Sequence, residues 1–253
     1  MTNKLDFLIN YLLSERKDAE GIRIPNDNAD KFRLYRSLVN IRPAVKADDS
    51  FLQAEDEYLH ELTESKGIID VADLTPIEDG IYLWQGDITT LKCGAIVNAA
   101  NSGMTGCWQP CHSCIDNCIH TFAGVRLRYE CGQIMEKQGH EEPTGQAKLT
   151  KAYNLPCDYV IHTVGPIVQE RLTEEHCRLL ESSYKSCLDI AVQNSIGSIA
   201  FCCISTGVFG FPQNEAAQIA VRTVRQYRQK YDIQVIFNVF KEDDHEIYKG
   251  LLG

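Results

Sequence analysis

The chain has 253 residues, 44% of them apolar and 24% charged, with a formal net charge of −10. That length holds one fairly large domain, or one with an appendage, and the apolar-to-charged balance is that of a globular protein, which excludes wholesale disorder. Neutralising phosphates needs surplus Lys and Arg, so the acidic balance disfavours nucleic acid and anionic membrane surfaces as partners.

The N-terminal stretch MTNKLDFLINYLLSERKD has its apolar run interrupted by Asp6 and Asn10 and carries no small-residue cleavage pattern. No segment approaches the roughly eighteen uninterrupted apolar residues of a membrane span, and a cytoplasmic location is expected. Leu5, Leu8 and Leu12, then Phe32, Tyr35 and Leu38, recur at three- and four-residue intervals and predict helices. Pro43 and the stretch Ala47 to Ser50 read as a break, followed by a polar helix around Glu55 to Ser65. Residues 1 to about 70 are thus helical, with no catalytic constellation.

From Ile81 the texture changes. Strands are predicted at Ile81 to Gln85, Ala95 to Ala99, Ala147 to Tyr153, Tyr159 to Val164, Ser198 to Ser205 and Gln234 to Phe240. One helical stretch is predicted over Ile115 to Gln138, and others near Glu174 to Gln193 and Asn214 to Tyr231. Short apolar strands alternating with helices indicate a mixed α/β sheet covered on both faces. Ligands settle beyond the strand ends of such sheets. IYLWQGDIT puts Asp87 past one strand, IVNAANSGM puts Asn98 and Asn101 past another, and CCISTGVFGFP supplies a Gly-containing loop past a third. In that loop Ser205, Thr206, Gly207 and Gly210 offer backbone N–H groups to a phosphate, though a Gly-rich turn after a strand is commonly only a turn. Neither G-x-G-x-x-G nor G-x-x-x-x-G-K-[ST] occurs at a strand-to-helix junction.

Eleven cysteines, an odd number and mostly isolated in apolar runs, fit reduced thiols better than a disulfide framework. Cys93, Cys131, Cys157, Cys177, Cys187, Cys202 and Cys203 read as packing residues. The other four crowd into GCWQPCHSCIDNCIH, Gly106 to His120, with two histidines. Thiolate and imidazole are preferred zinc ligands. From the residues alone, a four-ligand staple including Cys111, a three-ligand open site and a metal-free thiol cluster all stand. A lone Cys nucleophile activated by histidine is a further reading.

QGDIT, IVNAAN, DNCIHTFAG, GQAKLTKAYNLPCDYVIHTVGP and ISTGVFGFP together resemble the macrodomain family, in the same order and over about Leu83 to Leu251. The resemblance implies an α/β fold, a three-layer α/β/α macrodomain with a mixed central sheet over residues 71–253, and an N-terminal helical extension over residues 1–70. It implies binding of ADP-ribose and, in the nearest branch, removal of ADP-ribose from proteins. The cysteine segment resembles that of bacterial zinc-containing macrodomains, whose Cys-x4-His-x-Cys pattern is matched by Cys107, His112 and Cys114. The work implied is reversal of mono-ADP-ribosylation written by a sirtuin-type transferase on a lipoylated carrier protein. By the same resemblance Asp87, with the Ile88 amide, recognises adenine, and Asn101 faces the distal ribose. Ser205, Thr206, Gly207, Val208 and Phe209 surround the diphosphate, with Phe209 beside the distal ribose. Asp116 handles a water or a proton. The chain departs from zinc-free relatives between Asn101 and Asp116, where a longer metal-like segment replaces a glycine run.

With that ligand set, His112 and Cys114 lie two apart and face one way in an extended loop, while Cys111, next to His112, faces elsewhere. Three protein ligands leave the fourth tetrahedral position to water or substrate. Cleavage at the anomeric carbon develops oxocarbenium character. Zinc would orient the ribose hydroxyls or supply a hydroxide, and Asp116 would steer the water or accept a proton. Two thiolates cancel the ion's double charge, which favours orientation over strong activation. His120 reads as a packing or hydrogen-bonding residue. A non-catalytic ADP-ribose reader and an O-acetyl-ADP-ribose deacetylase are the competing functions, and a reader needs no open metal position. The N-terminal helices read as a packing extension or as a surface that selects the modified protein.

Overall fold

The computed structural model describes residues 4–253. Three helices come first: α1 (Lys4–Ser14), α2 (Asn28–Ile41) and α3 (Asp49–Lys66). Helix α1 buries Leu5, Leu8, Ile9 and Leu12, and α2 buries Tyr35, Leu38 and Val39, the spacing of a single apolar stripe. Asp27 caps α2 by accepting the amides of Ala29 and Asp30. With Phe51 and Leu59 of α3, and Val125 from further along the chain, these side chains form an apolar cluster separate from the main core.

Two short strands, β1 (Ile69–Asp70) and β3 (Leu91–Lys92), pair in parallel. The main sheet holds β2 (Ile81–Gln85), β4 (Ala95–Ala99), β5 (Ala147–Lys151), β6 (Tyr159–Thr163), β7 (Ser198–Phe201) and β8 (Gln234–Val239) in the order β2-β8-β7-β4-β6-β5. All neighbours are parallel except β5, which runs antiparallel to β6 along the edge. The registers align Ile81 with Val235 and Ile96 with Val160. Strand β7 is buried throughout and β4 nearly so, because helices cover both faces. Helices α4 (Ile115–Ala123) and α5 (Val125–Gln138) pack on β4 and β5, with the first three helices outside them. Helices α6 (Glu174–Gln193), α7 (Gln213–Arg228) and α8 (Glu242–Leu252) cover the opposite face. The result is the three-layer α/β/α arrangement with a mixed sheet that the sequence implies.

The strands expected over Ala147 to Tyr153 and Ser198 to Ser205 end earlier, at Lys151 and Phe201, where the chain turns into loops, and three further details differ from the sequence reading. The stretch Ile115 to Gln138 is two helices rather than one, broken at Gly124, whose φ of 88° is open to glycine and strained for other residues. A Cβ there would also lie 2.6 Å from Glu55 Oε2, the oxygen that accepts the Val125 amide at 2.9 Å. A carboxylate from α3 therefore caps α5, which no local pattern announces. Asn98 lies inside β4 rather than past it. The periodicity does not predict α8, whose first turn, Glu242, Asp243 and Asp244, carries the acidic residues that suit a helix N-terminus.

Candidate active site

The parallel strands bring the C-terminal ends of β2, β4, β7 and β8 to one edge, and the loops that leave them hold the polar residues singled out above. At the end of β2, Asp87 opens a short 3-10 turn and accepts the Thr89 amide at 3.0 Å and the Thr89 hydroxyl at 2.6 Å. Its other oxygen meets Lys66 Nζ, at the end of α3, at 2.9 Å. Burial works against the Asp87 charge, but the Thr89 and Lys66 hydrogen bonds outweigh it and hold the carboxyl below the usual range. The Ile88 amide finds no acceptor among the described residues. The Gly86 amide donates to Val239 O at 3.0 Å, which brings the end of β8 to the Asp87 turn, and Phe240, the next residue, is 76% exposed.

Past β7 the loop turns on itself. Thr206, Gly210 and Phe211 donate their amides to Cys203, Gly207 and Ser205, while those of Gly207, Val208 and Phe209 have no acceptor among the described residues. Ser205 takes a φ of 66°, and its buried hydroxyl has no hydrogen-bond partner among the described residues. Gly165, just past β6, approaches that hydroxyl so closely that a Cβ would overlap it. The loop thus presents unengaged N–H groups, the property of an anion cradle.

The most constrained part lies past β4. Asp116, in the first turn of α4, is only 4% exposed. Its Oδ1 accepts Asn98 Nδ2 at 2.8 Å, and its Oδ2 accepts Asn101 Nδ2 at 3.2 Å. Burial pushes this carboxyl up to about 6, opposed by the Asn98 bond, the Arg128 charge and the Asn101 bond. Asn101 Nδ2 also donates to Gly106 O at 3.1 Å, so one amide ties the start of the cysteine loop to Asp116 at its end. Asn98 gives its second proton to His162 Nδ1 at 3.0 Å, which leaves the proton of the neutral imidazole on Nε2, 2.9 Å from Thr150 Oγ1. Burial holds His162 neutral, down to about 3. His120 lies with Nε2 at 3.6 Å from Asp116 Oδ1, and neither ring nitrogen has a hydrogen-bond partner among the described residues.

Cys107, His112 and Cys114 bring their donor atoms within 4.8 Å of one another. Tetrahedral zinc with bonds of about 2.3 Å to sulfur and about 2.0 Å to nitrogen separates the two donors by roughly 3.5 Å. Cys107 Sγ and His112 Nδ1 lie 3.7 Å apart, so this pair fits such an ion in spacing, and with Cys114 Sγ within 4.8 Å of both the set fits it in chemistry. Cys114 also caps α4, its sulfur accepting the Asn117 amide at 3.4 Å, but burial outweighs that bond and pushes the metal-free thiol up to about 12. Cys111, with a φ of 54°, turns its thiol away to Arg33 O at 3.3 Å. A second group, His120, Cys131 and His162, is equally compact but wholly buried, and His162 Nε2 there carries a proton instead of a free lone pair. The seven scattered cysteines are free, and all lie buried or half-buried.

Asn101, Asp116 and the three-donor loop thus share the end of β4, with the Ser205 to Phe209 loop at the neighbouring end of β7 and Asp87 on the same edge of the sheet at the end of β2. Sequence reasoning missed His162, Thr150, Arg128, Arg36, Asn40 and Asn117. The available signal was polar residues inside apolar strands, as in AIVNA and YVIHT.

The profile of the Macro domain family matches residues 97–220. The chain is 56% identical to a protein-ADP-ribose hydrolase of Treponema medium, over 98% of this chain and 97% of that one. It is 48% identical to a protein-ADP-ribose hydrolase of Staphylococcus aureus strain Mu50, over 99% and 95%. Among solved structures, the Trypanosoma brucei macrodomain in complex with ADP-ribose superposes with a TM-score of 0.67 at 29% identity, covering 86% of this chain and 95% of that one. With its six-stranded mixed sheet between two helical layers and relatives alike along nearly their whole length, the chain belongs to the macrodomain family.

Proposed function

We propose that this protein removes mono-ADP-ribose from modified protein side chains, releasing ADP-ribose, with a zinc ion held by Cys107, His112 and Cys114. The observation that carries the reading is the Asn101 amide, which joins the Asp116 carboxylate to the first residue of the three-donor loop. The names of the two bacterial relatives support the substrate class. When bound, zinc supplies a Lewis acid that orients ribose hydroxyls and water.

The chain's own residues do the rest. Asp87 and the Ile88 amide receive adenine, with Phe240 as a stacking face. The amides of Gly207, Val208 and Phe209 hold the diphosphate, and Phe209 bounds the distal ribose. Asn101 positions Asp116 and the sugar. Asp116 keeps acceptor lone pairs beyond its two amide bonds, so it can hold a water against the anomeric carbon. The water oxygen bonds to that carbon as the bond to the side chain breaks. The proton released passes through Asp116 to the departing side chain. A carrier protein modified by a sirtuin-type transferase is the proposed physiological substrate, with the outer face of the N-terminal helices available to select it.

The test is metal analysis of the purified protein, with a release assay on mono-ADP-ribosylated protein before and after chelation. About one zinc per chain and release of ADP-ribose only by the loaded form is the expected result. Binding of ADP-ribose without release would make the protein a reader, and release by the stripped protein would remove zinc from the reaction.

A further inference from the structure

The cysteine loop has little structure of its own. Between Gly106 and Cys114 the chain forms neither helix nor strand, and its one internal backbone hydrogen bond among the described residues runs from the His112 amide to Gln109 O at 3.3 Å. Holding three donors at metal-binding distance in such a segment costs conformational entropy unless other parts of the molecule fix it. The fixing contacts come largely from α2. Arg36 Nη2 donates to His112 O at 2.6 Å. The same guanidinium donates twice to Asn117 Oδ1, from Nη2 at 2.8 Å and from Nε at 3.2 Å, and Asn117 Nδ2 holds Gln109 O at 2.9 Å. Asn40, one turn along the same helix face, accepts the Cys111 amide at 2.9 Å. Other elements hold the start of the loop, where Arg128 Nη2 donates to Cys107 O at 3.4 Å and Asn101 Nδ2 to Gly106 O at 3.1 Å. Asn40 and Asn117 are fully buried and the bonds to the loop are half-buried, which limits their replacement by water, and a planar fork is the one cationic side chain that reaches both acceptors.

We propose that Arg36, on the N-terminal extension, is a positioning residue of the metal site: its guanidinium presets the loop that carries Cys107, His112 and Cys114 and so raises affinity for the cation. The inference rests on the zinc reading above and assigns the extension a part in the site beyond packing.

Zinc affinity of the full chain, measured by competition with a chromogenic chelator, tests it, together with the visible absorption of the cobalt-loaded protein as a report of donor geometry. Support around a ligand set typically accounts for roughly 10- to 100-fold in affinity. Arg36→Ala is expected to bind zinc weaker by about that factor and to change the cobalt spectrum. Arg36→Lys, which keeps the charge but has a single donor group, should fall between Arg36→Ala and wild type, and it carries the test should Arg36→Ala not fold. Tyr35→Phe is the control: it removes the 2.7 Å bond to Glu55 from the same helix and touches nothing in the loop. Wild-type affinity in the Arg36 variants, or an equal loss in Tyr35→Phe, overturns the inference and leaves the zinc reading standing. A wild-type protein that binds no zinc sinks both.

Discussion

Glu55→Gln should abolish a pH dependence of stability that Glu55 imposes on the wild type. Glu55 is fully buried, accepts Tyr35 Oη at 2.7 Å and caps α5 through the Val125 amide at 2.9 Å. Burial raises its carboxyl from 4.5 to about 7, opposed by the Tyr35 and Val125 bonds, with Asp56 adding to the rise and Arg126 opposing it. The unfolded chain therefore releases the Glu55 proton near 4.5, while the folded chain keeps it until about 7. Through that window the unfolded state binds fewer protons, and stability falls as pH rises. At about 1.36 kcal/mol per pH unit, the full window from 4.5 to about 7 is worth about 3 kcal/mol, and the part above about pH 5.5 about 2 kcal/mol. Glutamine keeps the shape without the charge. Urea unfolding of both proteins at about pH 5.5 and about pH 8 should show the wild type losing about 2 kcal/mol more than the variant over that interval. A stability difference that stays constant between the two pH values would refute the argument, since it would mean that Glu55 ionises alike in both states.

Cys107→Ala and Cys114→Ala should each lose the metal and all release of ADP-ribose, checked by elemental analysis and the release assay; full activity in a metal-free variant would exclude zinc from the chemistry. Asp116→Ala should lower turnover by about 100-fold or more while calorimetry finds ADP-ribose affinity within a few-fold of wild type, and a loss confined to binding would assign Asp116 to recognition. Asp87→Ala removes a charged acceptor worth about 1.5–3 kcal/mol, so ADP-ribose should bind roughly 10- to 100-fold more weakly while ribose 5-phosphate binds as before. Gly124→Ala places a Cβ 2.6 Å from Glu55 Oε2 at a φ of 88° and should cost about 3 kcal/mol in chemical denaturation. A neutral result would mean that the α4–α5 junction rearranges freely.

Much of this molecule is legible without coordinates, and the reason is local. Strands such as AIVNA and SIAF are short apolar runs, helices such as α1 and α2 repeat Leu or aromatic residues at helical intervals, and both patterns are read within a few neighbouring residues. The loops after β2, β4 and β7 follow from the strands, and the spacing of Cys107, His112 and Cys114 is written in nine consecutive positions of the chain, 106–114. Tertiary structure alone decided how those pieces support one another. The break at Gly124 exists because a carboxylate 69 positions earlier in the chain caps the following helix, as the numbers of Glu55 and Gly124 show. The Asp116–Asn98–His162 chain joins residues from α4, β4 and β6, and the hold of Arg36 on the cysteine loop crosses 76 residues to His112. Burial, proton placement and the fixing of a loop depend on which distant side chains arrive, and periodicity along one segment carries no record of them.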